Sequence, residues 1–286
     1  MSDKDVDMTF ISHAQNFEDV TLWRTLRLFG PGFYIDIGAN HPQQDSVTHT
    51  LYERGWRGIN IEPVLQYHQA LCAARPEDIN LCVAVGEAEG ELLFFESAET
   101  GLSTLSPEMA RLQRAEGNDF VERAVKVRTL ASICEEYLST ELPWQFLKID
   151  VEGFEEQVLR GMDFRRWRPW IILIESSYHS DPHWKHLILD AGYRFALCDG
   201  INRYYVAEER SDLLVPLALP PNLIDDFRLC PGHRFSHPVE DVAALHTQLH
   251  ETRARAERAE TQLAAIYNSR LWTLVKGVTW LKRRFS

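Results

Sequence analysis

Phe33-Tyr34-Ile35-Asp36-Ile37-Gly38-Ala39-Asn40 is an apolar run that stops in a carboxylate and a glycine turn. Gly58-Ile59-Asn60-Ile61-Glu62-Pro63 is a second apolar run that stops in another carboxylate, after a gap that fits one helix. An open α/β sheet offers a nucleoside this pair of features: a glycine turn after one strand, then a carboxylate for ribose hydroxyls. A dinucleotide-binding turn has three glycines, where this turn has one. That argues against a nicotinamide-dependent oxidoreductase. It points to a phosphate-free nucleoside such as S-adenosylmethionine.

Outward from this stretch, residues 13–29 carry apolar positions at helical spacing until Gly30-Pro31-Gly32 stops them. Strands are expected at 33–37, 58–61, 79–85 and 91–95. Helices are expected at about 46–54 and at 65–74. Residues 97–120 are polar and predict a mobile loop with a helix, a place for substrate contacts. A strand at 125–128 and a helix at 129–138 follow. The buried strand 146–149 ends at Asp150, and the helix 153–161 comes next. The strand 170–174 ends at Glu175. A helix at 183–191 and a closing hairpin, 193–197 with 202–206, complete the pattern. The alternation predicts the α/β class, with a largely parallel sheet and helices on both faces.

These elements assign residues 1–212 to one domain. Pro216, Pro220, Pro221, Pro231 and Pro238 mark 213–239 as a linker. Residues 240–266 then read as a coiled-coil-like helix. Val242, Leu245, Leu249, Thr252, Ala256, Ala259, Leu263 and Ile266 alternate steps of three and four, with charges between them. This seam suits a homo-oligomer, or alternatively a solitary solvated helix. In the tail, 267–286, Leu271, Leu274, Val275, Val278, Leu281 and Phe285 share one helical face, opposite Lys276, Arg283 and Arg284. A basic amphipathic helix with tryptophan suits peripheral membrane contact, or packing on a protein partner.

The 286 residues carry a net charge of −12, which disfavours broad nucleic-acid binding. Five scattered cysteines without CxxC spacing fit reduced thiols, not a disulfide framework or zinc site. The polar N-terminus does not read as a signal peptide, and no apolar run approaches the ~20 residues of a membrane span. The expectation is a cytoplasmic protein, peripheral at the inner face of the cell membrane through its tail.

The ordered set Ser12-His13-Ala14-Gln15-Asn16-Phe17-Glu18-Asp19, Asp36-Ile37-Gly38-Ala39-Asn40, Gly55 to Pro63, Lys148-Ile149-Asp150-Val151-Glu152-Gly153-Phe154-Glu155 and Arg168 to Glu175 resembles the FkbM family of S-adenosylmethionine-dependent methyltransferases. The resemblance implies a Rossmann-like class I methyltransferase sheet, S-adenosylmethionine as cofactor, and O-methylation. Gly38 would admit the cofactor's methionine part, Asp36 would reach its ammonium directly or through water, and Glu62 would take the ribose hydroxyls. Asn40, Gln15 and Ser46 join the cofactor-binding candidates. Ser46 reads equally as a helix cap, and Glu18 and Asp19 as capping residues.

Asp150 and Glu175, at neighbouring strand ends, are the catalytic candidates and the pair that would hold a divalent metal, though metal use is not favoured. Glu152 follows Asp150 closely, and Glu155 reads as helix surface charge. His179 is a candidate general base, since a hydroxyl is a poor nucleophile until deprotonated. His41 follows the glycine turn, either at the cleft or as a loop residue. The segment Ile266-Tyr267-Asn268-Ser269-Arg270-Leu271-Trp272 is similar to one at the ends of bacterial glycan-assembly enzymes. It implies a sugar hydroxyl of a surface polysaccharide or lipid-linked glycan as substrate. A small polyketide-type natural product, and a non-catalytic scaffold, are the rival readings.

Overall fold

The computed structural model describes residues 9–97, 101–139, 142–176, 181–236 and 242–268. They form two units, residues 1–233 and 234–286.

In the first unit the strands are β1 (Phe10–Ser12), β2 (Phe33–Ile37), β3 (Arg57–Ile61), β4 (Ile79–Leu81), β5 (Ala84–Val85), β6 (Gly90–Ser97), β7 (Phe120–Arg128), β8 (Phe146–Ile149), β9 (Ile171–Glu175), β10 (Tyr193–Cys198), β11 (Asn202–Ala207) and β12 (Phe227–Leu229). The helices are α1 (Glu18–Leu26), α2 (His49–Glu53), α3 (Leu65–Ala74), α4 (Pro107–Ala115), α5 (Leu130–Tyr137), α6 (Glu155–Arg160), α7 (Lys185–Leu189) and α8 (Leu214–Ala218). The second unit holds α9 (Val242–Tyr267).

Seven strands make the main sheet in the order β10-β11-β9-β8-β2-β3-β4. β9, β8, β2, β3 and β4 run parallel, and β11 is antiparallel to β9 and β10. From β2 the chain moves outward one way through β3 and β4, then returns to the other side of β2 with β8 and β9. The order therefore reverses between β2 and β8, and the crevice at their carboxyl ends is where such a sheet binds ligands.

Period-two alternation sorts the strand residues onto two faces. Ile35, Ile37, Ile59, Ile61, Leu147, Ile149, Ile172 and Ile174 enter one core, under α5, α6 and α7. Tyr34, Phe146, Ile171 and Leu173 enter the other, under α1, α2 and α8. That second face turns polar toward the carboxyl ends. The register puts Asp36 beside both Asn60 and Lys148. One step past the Ile149–Ile174 pair, Asp150 falls next to Glu175.

Three expectations change. The run 79–85 is two strands. β4 ends the main sheet at Leu81, and β5 joins β7 in a smaller sheet, β5-β7-β6. The first helix starts at Glu18, after a turn whose Phe17 is left-handed (φ 65°). The stretch 213–239 is not a plain linker: it holds α8, a short 3₁₀ turn and β12, and β12 pairs parallel with β1. Arg24 of α1 fixes this return, donating to the carbonyl of Pro216 and to Asp225 Oδ2 at 2.7 Å. Prolines here bend a packed segment. Among the described residues, no helix is long and apolar enough to cross a membrane.

Candidate active site

Gly38 closes β2 with φ +76°, and its N–H and that of Ala39 donate to the Ile61 carbonyl at 3.0 and 3.2 Å. Any side chain here would meet the backbone oxygen of Asp150. Asn40 is also left-handed (φ 49°). Its N–H donates to Glu62 Oε2 at 2.8 Å, while Glu62 Oε1 accepts from the Val64 N–H at 2.8 Å. Glu62 therefore locks the glycine turn to the start of α3 and keeps one lone pair on each oxygen for further donors. Burial pushes its carboxyl up to about 7, against the pull of those two backbone N–H groups and Lys148.

Asp36 lies behind this turn with a side chain only 2% exposed. Thr48 Oγ1 donates to its Oδ2 at 2.9 Å, and Lys148 Nζ stands 3.2 Å from its Oδ1. The same ammonium donates to the Gly38 carbonyl at 3.2 Å and lies 3.4 Å from Asp150 Oδ2. Burial pulls the Lys148 pKa down, but Asp36 and Asp150 outweigh it, and the net shift is upward. Asp36 thus anchors Lys148 here from behind the turn.

Ser46 is drawn elsewhere. Its hydroxyl accepts from Arg75 Nη2 at 2.7 Å. Arg75 is buried and also donates to Thr48 Oγ1, Asn60 Oδ1 and the Pro42 carbonyl. Ser46 is neither a helix cap nor open to the cleft in this arrangement. His41 Nδ1 accepts from the N–H groups of Gln43 and Gln44, which makes it a turn residue. Gln15 is half-buried in the turn before α1, tied to the loop after Gly38 by the Ala14–Asp45 bridge. Asp19 is a structural knot: it accepts from Ser12 Oγ and from the N–H groups of His13, Ala14 and Val20. Glu18 accepts from Asn202 Nδ2 and the Asn16 N–H.

Across the switch point, carboxylate oxygens of Asp150, Glu152 and Glu175 lie within 4.8 Å of one another. Burial, then Asp150 and Glu155, push Glu152 up to about 8. Burial, then Asp150 and Glu152, hold Glu175 well above the usual carboxylate range. Three hard oxygens with Lys148 at one side can hold a proton, orient a hydroxyl or take a divalent cation. Glu152 (φ 51°) has its backbone carbonyl bound by Thr104 Oγ1 at 2.7 Å. Thr104 bridges Phe95 of β6, and Ser106 next to it caps α4. Gly101 approaches Asn40 from the same segment. Residues 101–106 thus run from the glycine turn to the carboxylate cluster, along one side of the site. His179 lies outside the described residues.

Sequence reasoning left Glu152 without a role and passed over Lys148, Thr48 and Arg75. The signal for Lys148 was present: it sits two residues before Asp150 in an otherwise apolar strand, on the face that carries Asp36.

A parallel sheet with one reversed strand beside its edge, and a glycine turn and carboxylate at its switch point, make up the class I methyltransferase fold. A family model for the methyltransferase FkbM domain matches residues 36–195, more than half of the chain, and the chain belongs to that family. Among solved structures it is similar to methyltransferase FkbM from Methylobacillus flagellatus KT, at 16% identity and a TM-score of 0.39. That match covers 62% of this chain and 43% of the other, so this chain spans less than half of that relative. It is also similar to a precorrin-6y C5,15-methyltransferase from Geobacter metallireducens GS-15, at 14% identity and a TM-score of 0.37, over 71% of this chain and 95% of that one. A search of curated proteins finds no match.

Proposed function

We propose that this methyltransferase uses S-adenosylmethionine to O-methylate a sugar hydroxyl of a bacterial surface polysaccharide or lipid-linked glycan. The observation that carries the reading is the facing of two half-sites across the switch point: Gly38, Asn40 and Glu62 on one side, Asp150, Glu152 and Glu175 on the other. The first half fits a nucleoside. Gly38 lets the turn close directly against the end of β8, and Glu62 has acceptor capacity left for two hydroxyls. When bound, S-adenosylmethionine supplies an electrophilic sulfonium methyl.

The second half supplies what the acceptor needs. The carboxylates hold the hydroxyl by its proton and fix the angle of its oxygen. As the new oxygen–methyl bond replaces the sulfonium carbon–sulfur bond, the hydroxyl proton would pass to a carboxylate oxygen, and in this reading Asp150 takes that role. Glu152 and Glu175, whose protons are held tightly, keep the cluster from accumulating charge. His179 stays a candidate base on the sequence alone.

The glycan half of the reading is supported by the sequence from Ile266 to Trp272 and by the basic amphipathic pattern of 267–286. Calorimetry with S-adenosylmethionine tests the cofactor, and a flat titration would leave the scaffold reading in its place. Mass spectrometry of the source's surface glycans, with and without this protein, tests the substrate. The expected result is the loss of one methyl mass on a defined sugar. A chain lacking 267–286 is expected to leave anionic liposomes, and equal partitioning of both forms would refute the membrane contact.

A further inference from the structure

We infer that α9 pairs with the α9 of a second copy of this chain. The helix is 26 residues long, about 39 Å at 1.5 Å per residue. Leu245, Leu249, Leu263 and Ile266 stand 43 to 52% exposed. They fall on the same seam as Thr252, Ala256 and Ala259, with large residues near the ends and small ones in the middle. Such a seam lets two helices approach closely at the centre while the aliphatic ends interlock.

The charges beside the seam identify the occupant. Arg253 and Glu260 lie on one flank, and Arg255 lies on the other. Among the described residues none of the three has an ion pair within its own chain. In a parallel pair, Arg255 of one copy meets Glu260 of the other five residues further on, and the two-fold axis repeats the contact. In an antiparallel pair, Arg253 meets Glu260, again twice. The surface is self-complementary in both directions. A lipid surface fits less well, because Glu251, Glu257 and Glu260 balance Arg253, Arg255 and Arg258 and leave no cationic face.

Sedimentation of the full chain over a range of concentrations tests the pairing. The expected result is a dimer that dissociates on dilution. Leu249→Asp with Leu263→Asp should give a monomer whose methyltransferase unit melts unchanged. Glu260→Arg should weaken the dimer roughly tenfold, since two attractions become repulsions. Arg255→Glu added to it should restore a parallel dimer, and Arg253→Glu an antiparallel one. Rescue by either supports the pairing and reads its direction. A wild-type monomer at every concentration, or a dimer that survives both aspartates, overturns it.

Discussion

A Cβ on Gly38 would lie 1.8 Å from the backbone oxygen of Asp150, so the turn after β2 and the end of β8 meet backbone to backbone. The two halves of the site are therefore spaced by main chain, which side-chain motion cannot loosen. Gly38→Ala should cost well over the ~1–2 kcal/mol of a left-handed alanine, because β8 must also move. Gly117, just past the end of α4, is the control. It also has a positive φ, +101°, but open space around it, so Gly117→Ala should show the backbone cost only. Urea unfolding of both variants measures the difference, and equal losses would mean that the close contact is not what constrains the turn.

Lys148 joins the same two halves by charge. It faces Asp36 across the β2–β8 register and reaches Asp150 beyond it. Lys148→Met leaves Asp36 buried and uncompensated, a loss of about 3–5 kcal/mol. Asp36→Asn should relieve much of that loss in the double variant. A double-mutant cycle in chemical denaturation checks it, and purely additive losses would contradict the ion-pair account.

The strands were legible from sequence because parallel central strands are apolar on both faces. β2, β8 and β9 show that plainly, and Asp36, Asp150 and Glu175 mark where each stops. The split of 79–85 was not legible. Nothing local distinguishes Leu81 from Ala84, and only the pairing of Ala84 with Val127 draws β5 away. The fate of 213–233 depended on Arg24, nearly two hundred residues earlier in the chain. In the site, Glu62 was visible as a strand-end carboxylate. The bond from Arg75 to Ser46 was not legible, because Arg75 comes from the end of a helix that sequence spacing does not relate to Ser46.

That partnership sets the next prediction. Ser46→Ala removes one acceptor from Arg75 and should cost about 1 kcal/mol in stability while leaving cofactor affinity within about twofold. Arg75→Met strips Thr48, Asn60, Ser46 and the Pro42 carbonyl of their donor at once and should cost at least ~3 kcal/mol. Thermal melts and calorimetry of the two variants separate these effects. A tenfold loss of cofactor affinity in Ser46→Ala alone would return Ser46 to the binding site.

Glu62 makes stability and binding respond oppositely to pH. Burial raises its carboxyl from the ordinary 4.5 to about 7. The folded protein thus keeps a proton that the unfolded chain has lost. The stabilisation this gives is complete below about 4.5 and disappears as pH rises through about 7. Glu18, raised to about 7, and Asp19, raised to about 6, act in the same direction. The ligand-free protein should therefore melt lower at pH 8.5 than at pH 5.5. Ribose hydroxyls, however, donate better to the ionised form. Affinity for S-adenosylhomocysteine should rise between pH 6 and pH 8, with a proton released on binding in the lower half of that range. Calorimetry in buffers of different ionisation enthalpy counts that proton. Glu62→Gln should flatten the affinity profile and abolish the release. A wild-type affinity that falls over this interval would remove Glu62 from the ribose site and leave it only the turn and helix start it is seen to hold.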